Sequence, residues 1–121
     1  MGGENNVASG IRSTVAGGDT NQATGRYAAA NGGTYNVADG ESSSVSGGSY
    51  NTASGTYAAV TGGRSVDASG GNATVVGGYG NQASGWYAVV GGGMANVASN
   101  YYSVITGGSS NTTSSTGDLV P

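Results

Sequence analysis

A 15-residue period runs through this chain, and it limits the possible folds more than any single residue does. Paired glycines mark it at Gly2/Gly3, Gly17/Gly18, Gly32/Gly33, Gly47/Gly48, Gly62/Gly63, Gly77/Gly78, Gly92/Gly93 and Gly107/Gly108. A unit this short cannot bury its own apolar face and must stack on neighbours above and below. The period therefore predicts a quasi-one-dimensional repeat architecture whose function lies in a surface rather than a pocket. Twenty-six glycines could equally suit a disordered linker, but here they are phased with apolar positions, which predicts order.

Columns of the repeat are numbered from Ala8. Column 1 is Ala8, Ala23, Ala38, Ala53, Ala68, Ala83 and Ala98, then Thr113. Column 8 is Val15, Ala30, Val45, Val60, Val75, Val90 and Ile105, a β-branched series that predicts a strand core. Column 14 is Asn6, Asn21, Asn36, Asn51, Asn81, Asn96 and Asn111, interrupted once by Val66. Asparagines stacked at a corner can bond one another and the turn backbone, so these read as structural rather than as a ligand site. Column 3 is Gly10, Gly25, Gly40, Gly55, Gly70 and Gly85, then Asn100; a positive-φ bend is the expected reason.

Two pentads alternate with period two, N-x-A-x-G over columns 14 to 3 and A/S-x-V-x-G over columns 6 to 10. Each reads as a short strand. Columns 4 and 5 form a two-residue corner, and a three-residue corner begins with the second glycine of each pair. About seven coils of roughly 4.8 Å each would make an all-β parallel solenoid about 34 Å long, with a thin interior of Ala and Val. No stripe of helical period appears. Residues 1–108 carry the repeats, whereas residues 109–121 keep Asn111 but read as leaving the valine column: a degenerate last coil, a C-terminal cap or an added tail.

Composition removes most chemistry. With no His and no Cys there is no ordinary general base near neutral pH, no thiolate nucleophile and no zinc-thiolate site. The acids Glu4, Asp19, Asp39, Glu41, Asp67 and Asp118 share no repeat position, so no catalytic residue, metal site or cofactor is expected. Arg12, Arg26 and Arg64 are the only basic residues, giving a net charge of −3 and no basic stripe for nucleic acid. No segment approaches the roughly 18 apolar residues that span a bilayer, and the first residues carry no export signal. If the protein is exported, its targeting and anchoring parts lie outside this sequence. Six β-branched residues in column 8 are a thin core against the ordering cost of so much glycine. Apolar surface shared with further copies in a closed, symmetric oligomer is the expected remedy.

The pentads resemble the head repeats of trimeric autotransporter adhesins of the YadA type, in which S-V-A-I-G and A-x-A-x-G units recur at 14 residues. The matching stretches are Asn51-Thr-Ala-Ser-Gly55 and Ala58-Ala-Val-Thr-Gly62, with Gly63 as the added residue that makes 15. The resemblance covers about residues 2–108. It implies a left-handed parallel β-roll packed as a homotrimer, displayed on a cell surface through an outer-membrane anchor that this sequence does not contain. It further implies a non-enzymatic head that attaches to matrix proteins, host cells or other cells, and so a protein or glycan receptor. The period of 15 and the Val–Ala core depart from the family pattern, and a segment of a phage or viral fibre, either a spacer or receptor-binding, is the alternative.

Columns 4 and 5 form a variable outward corner where aromatics gather at Tyr27, Tyr57, Trp86, Tyr87, Tyr101 and Tyr102. These form the candidate binding surface, because Tyr and Trp supply large contact area at low entropic cost. The competing expectation is that the tyrosines stack on one another at every second coil or pack against the next subunit. Tyr35, Tyr50 and Tyr79 supply a second aromatic edge in columns 12 and 13. An ice-binding solenoid would need a regular Thr-x-Thr rank, but columns 7 and 9 give pairs such as Thr14/Ala16, Ala29/Asn31 and Val89/Gly91.

Overall fold

A computed structural model describes residues 2–121. The described chain is an all-β solenoid of about eight turns, each one sequence repeat. One sheet, the alanine sheet, stacks the two-residue strands Val7–Ala8, Gln22–Ala23, Val37–Ala38, Thr52–Ala53, Asp67–Ala68, Gln82–Ala83 and Val97–Ala98. The other, the valine sheet, stacks Thr14–Val15, Ala29–Ala30, Ser44–Val45, Ala59–Val60, Thr74–Val75, Val89–Val90, Val104–Ile105 and Leu119–Val120. All pairings are parallel and join residues 15 apart, as in Ala8↔Ala23 and Val75↔Val90. The pentads are thus located as expected, although only their second and third residues pair as strands.

The interior is as thin as the repeat implies. Val15, Val45, Val60, Val75, Val90 and Ile105 are buried between the sheets, facing Ala23, Ala38, Ala53, Ala68, Ala83 and Ala98. Column 6 adds Ala28, Ala58, Ala73 and Ala88 to this core. Ser43 occupies the same column, and its buried hydroxyl has no hydrogen-bond partner. Its counterparts Ser13 and Ser103 donate to the Gly10 and Asn100 carbonyls.

Three features depart from the sequence reading. First, the column-3 glycines are not at positive φ. A Cβ at Gly25 would run into the Gly40 carbonyl oxygen, and one at Gly40 into that of Gly55. These glycines are required because successive coils approach backbone to backbone. Second, the three-residue corner is itself paired: single-residue parallel bridges link Glu4, Asp19, Thr34, Ser49, Arg64, Tyr79, Met94 and Ser109 into a third ladder. Third, the valine column does not end at Ile105. Val120 pairs with Ile105 and packs against the core, so residues 109–121 wind an eighth coil.

That last coil is looser along one edge. In coil six, the Ser84 and Gly85 N–H groups both donate to the Ala98 carbonyl. In coil seven, the Ser99 N–H donates instead to the Thr113 hydroxyl, which itself bonds the Asn100 side chain. Asn100 places a Cβ where glycine stands in the coils below, and Thr113 replaces the alanine above it. The close backbone contact gives way to side-chain bonds.

Candidate binding surface

The columns 4 and 5 corner is a β-turn closed by the backbone. The N–H of column 6 donates to the carbonyl of column 3, as in Ala28 to Gly25 at 3.1 Å and Ala58 to Gly55 at 3.0 Å. Column 5 is left-handed, with φ of 59° at Tyr27 and Tyr57, 58° at Tyr87 and 55° at Tyr102. A left-handed third residue is what a type II turn needs, and Gly or Asn is the usual occupant. Here the backbone between coils holds tyrosine in that conformation. The left-handed twist turns the column-5 N–H toward the preceding coil, where Tyr27 donates to Ile11, Tyr87 to Gly71 and Tyr102 to Trp86. Most other N–H groups in the coil donate to the coil that follows.

The six aromatics do not form one surface. Tyr27 lies between cations, with the Arg26 guanidinium 5.1 Å and that of Arg12 5.8 Å from its ring centre. Tyr57 stands alone, because Ser42 and Asn72 occupy its column in the coils on either side. Trp86, Tyr87, Tyr101 and Tyr102 form a two-by-two cluster on coils six and seven. Tyr87 and Tyr102 stack with ring centres 5.0 Å apart and planes at 8°, and Trp86 and Tyr101 stack at 6.4 Å and 18°. Tyr101 meets Tyr102 edge-on at 6.1 Å, and Trp86 meets Tyr87 tilted at 6.5 Å. All four rings are about half exposed. Stacking at every second coil does not occur: two coils are about 9.6 Å, too far for ring contact.

Gly71 was not among the expected site residues, yet it shapes the cluster. A Cβ there would approach Trp86 Cε3 to 2.9 Å, so the indole lies over a coil that has no side chain beneath it. A glycine 15 residues before the tryptophan was the available signal. On the opposite corner Tyr35 and Tyr50 stack at 5.0 Å and 8°, and Arg64 lies 5.9 Å from the Tyr79 ring centre.

The asparagines lie inward at the other corner. Asn21, Asn36, Asn51, Asn81 and Asn96 are fully buried. Asn36 Nδ2 donates to Gly32 O in its own coil and to Gly48 O in the next, both at 2.9 Å, while its Oδ1 accepts the Asn51 N–H at 3.0 Å. Each asparagine thus latches its own corner and joins two coils. Val66 breaks the series: its N–H still donates to Asn51 Oδ1, but it has no side-chain N–H for the Gly62 and Gly78 carbonyls and no side-chain oxygen to accept from the Asn81 N–H.

No protein-family model matches the chain, and no curated protein sequence matches it. What the surface can do therefore rests on its own chemistry. Among the described residues no three His, Cys, Asp or Glu side chains gather into a metal-binding group, and no helix is long and apolar enough to cross a membrane. Two carboxyl groups are perturbed. Burial pushes the Asp67 carboxyl above its usual range, with Asp39 adding repulsion, and one of its oxygens is buried without a partner. Asp118 is held below the usual range by the Ser114 N–H and hydroxyl and the Ser115 N–H, which bond its carboxylate.

Proposed function

We propose that this chain is a non-enzymatic adhesive rod, a YadA-like head segment that works as a left-handed homotrimer on a cell surface and attaches to a protein or glycan receptor outside the cell. The observation that carries the reading is the aromatic cluster at Trp86, Tyr87, Tyr101 and Tyr102, four half-exposed rings on a backbone-closed corner. Rings held this firmly lose little entropy on contact, which suits them as anchors for a partner. Trimer packing is supported by the outer face of the valine sheet, where Ala29, Ala59, Val89 and Val104 present small apolar side chains that are already half-buried. Non-enzymatic function is supported by the scattered acids and by a sequence with neither His nor Cys.

Two measurements test this. Sedimentation of the folded protein at micromolar concentration is expected to give three chains, and a stable monomer would remove the trimer. Replacing Trp86 and Tyr101 by Ser is expected to weaken attachment to cells or matrix while leaving the fold intact. A fibre spacer is the second reading, favoured by the near-parallel planes at 8° and 18°, which commit ring faces to one another rather than to a ligand. Unchanged attachment in the double variant would select it.

A further inference from the structure

Eight tyrosines against one tryptophan, two methionines and no cysteine make phenols the most numerous oxidisable side chains here, and the solenoid places two pairs of them face to face. Tyr35 stacks on Tyr50 and Tyr87 on Tyr102, both with ring centres 5.0 Å apart and planes at 8°. We propose that these two pairs are sites of oxidative cross-linking, each forming one dityrosine bond that joins adjacent coils covalently.

The geometry is fixed by the backbone rather than by chance rotamers. All four residues are left-handed, with φ of 56°, 57°, 58° and 55° in chain order. In the upper member of each pair the N–H donates to the coil below, Tyr50 to Thr34 at 3.0 Å and Tyr102 to Trp86 at 2.9 Å. Successive coils are about 4.8 Å apart, so a pair of tyrosines 15 residues apart in columns 5 or 13 is held at ring-contact distance. The rings are also reachable, with exposures of 46% and 56% in the first pair and 45% and 57% in the second.

The reaction needs an oxidant of the peroxide class acting through one-electron steps. Each phenol gives up one electron and one proton to become a neutral phenoxyl radical, whose unpaired spin lies partly on the ring carbons beside the oxygen. One such carbon from each ring forms the new carbon–carbon bond. The two hydrogens displaced from those carbons move to the phenoxyl oxygens, which restores both phenols. The peroxide accepts two electrons and two protons and leaves as two waters, so the chain loses two hydrogen atoms per bond.

The remaining tyrosines are internal controls. Tyr27, Tyr57 and Tyr79 are as exposed, at 41%, 59% and 53%, but have no phenol stacked on them. Tyr101 stacks on Trp86 and meets Tyr102 only edge-on.

The test treats the dilute folded protein with a haem peroxidase and hydrogen peroxide, then reads dityrosine fluorescence and the intact mass of the single chain. Two bonds per chain are expected, mapped by peptide mass spectrometry to Tyr35–Tyr50 and Tyr87–Tyr102. The Tyr50→Phe and Tyr102→Phe variants keep the stacked ring but lack the phenol, and each is expected to halve the yield. The double variant, which retains six tyrosines, is expected to lose within-chain dityrosine. Equal yield from the double variant, equal yield from protein unfolded in guanidinium, or covalent dimers in place of within-chain bonds would each overturn the proposal.

Discussion

Each coil has two corners, and they are closed in different ways. At columns 4 and 5, side chains as unlike as Ile11/Arg12, Glu41/Ser42, Gly71/Asn72 and Trp86/Tyr87 all occupy the same turn. At the opposite corner the Gly pair and the buried Asn recur almost unchanged. The first turn closes with its own backbone hydrogen bond, so its side chains are free to point outward. The second closes through the Asn amide, which reaches inward to Gly carbonyls of its own coil and the next. Sequence freedom follows the positions whose side chains hold nothing: columns 4 and 5 at the first corner, and columns 12 and 13, from Asp19/Thr20 to Met94/Ala95, between the fixed Gly and Asn of the second.

The largest test of this contrast lies within a single glycine pair. At Gly33, φ is 85° and a Cβ would collide with the Gly48 carbonyl, whereas a Cβ at Gly32 meets nothing. Gly33→Ala is expected to cost about 3–5 kcal/mol from left-handed strain and overpacking. Gly32→Ala should gain about 0.5 kcal/mol by restricting the unfolded chain. Denaturant unfolding of both variants checks the difference, and equal effects would erase the distinction between the two glycines.

Next comes the latch. Asn36→Ala leaves Gly32 O and the Asn51 N–H without their partners in a buried corner and should destabilise by about 2–3 kcal/mol. The reverse change, Val66→Asn, fills the gap in the ladder and should raise stability by about 1 kcal/mol once the lost valine burial is offset. A thermal midpoint below that of the unmodified chain would show that coil five has adapted to valine.

The smallest effect is the pH response of Asp67. Its folded pKa is raised, so the ionised form is the costly one: the penalty is complete above the folded pKa and disappears as pH falls below the unfolded value. Asp67→Asn should therefore stabilise the protein at neutral pH and flatten the stability profile over the mildly acidic range. Asp118 has the opposite sign, contributing stability that is lost as pH falls through its lowered folded pKa.

Much of this was legible in the sequence because a period of 15 converts chain position directly into spatial position. The valine core and the asparagine corner needed only that arithmetic. The column-3 glycines were legible as necessary but not for their cause, since close approach and positive φ both select glycine and only the neighbouring coil distinguishes them. The left-handed sites were hidden because Tyr27, Thr20 and Ala95 occupy them against their local preference, held there by bonds between coils. Val120 lay 15 residues beyond Ile105 and was available by counting, but the segment before it has lost the alanine and glycine cues. Of the candidate surface, the columns were readable while the stacking was not. Rings stack only where two successive coils carry one in the same column, which separates Tyr87 and Tyr102 from the solitary Tyr57.

The missing amide at Val66 gives the rod a mechanical address. Between other neighbouring coils along the ladder, the asparagine adds side-chain ties across the junction to the sheet bonds, as Asn81 does to Gly93 and Asn96. Between coils five and six those side-chain ties are absent, and a pull along the axis is carried by backbone bonds alone, those of the sheets, the Arg64–Tyr79 bridge and the Tyr87-to-Gly71 contact. Under rising tension the rod should part there first, leaving the Tyr35–Tyr50 stack on one fragment and the tryptophan cluster on the other.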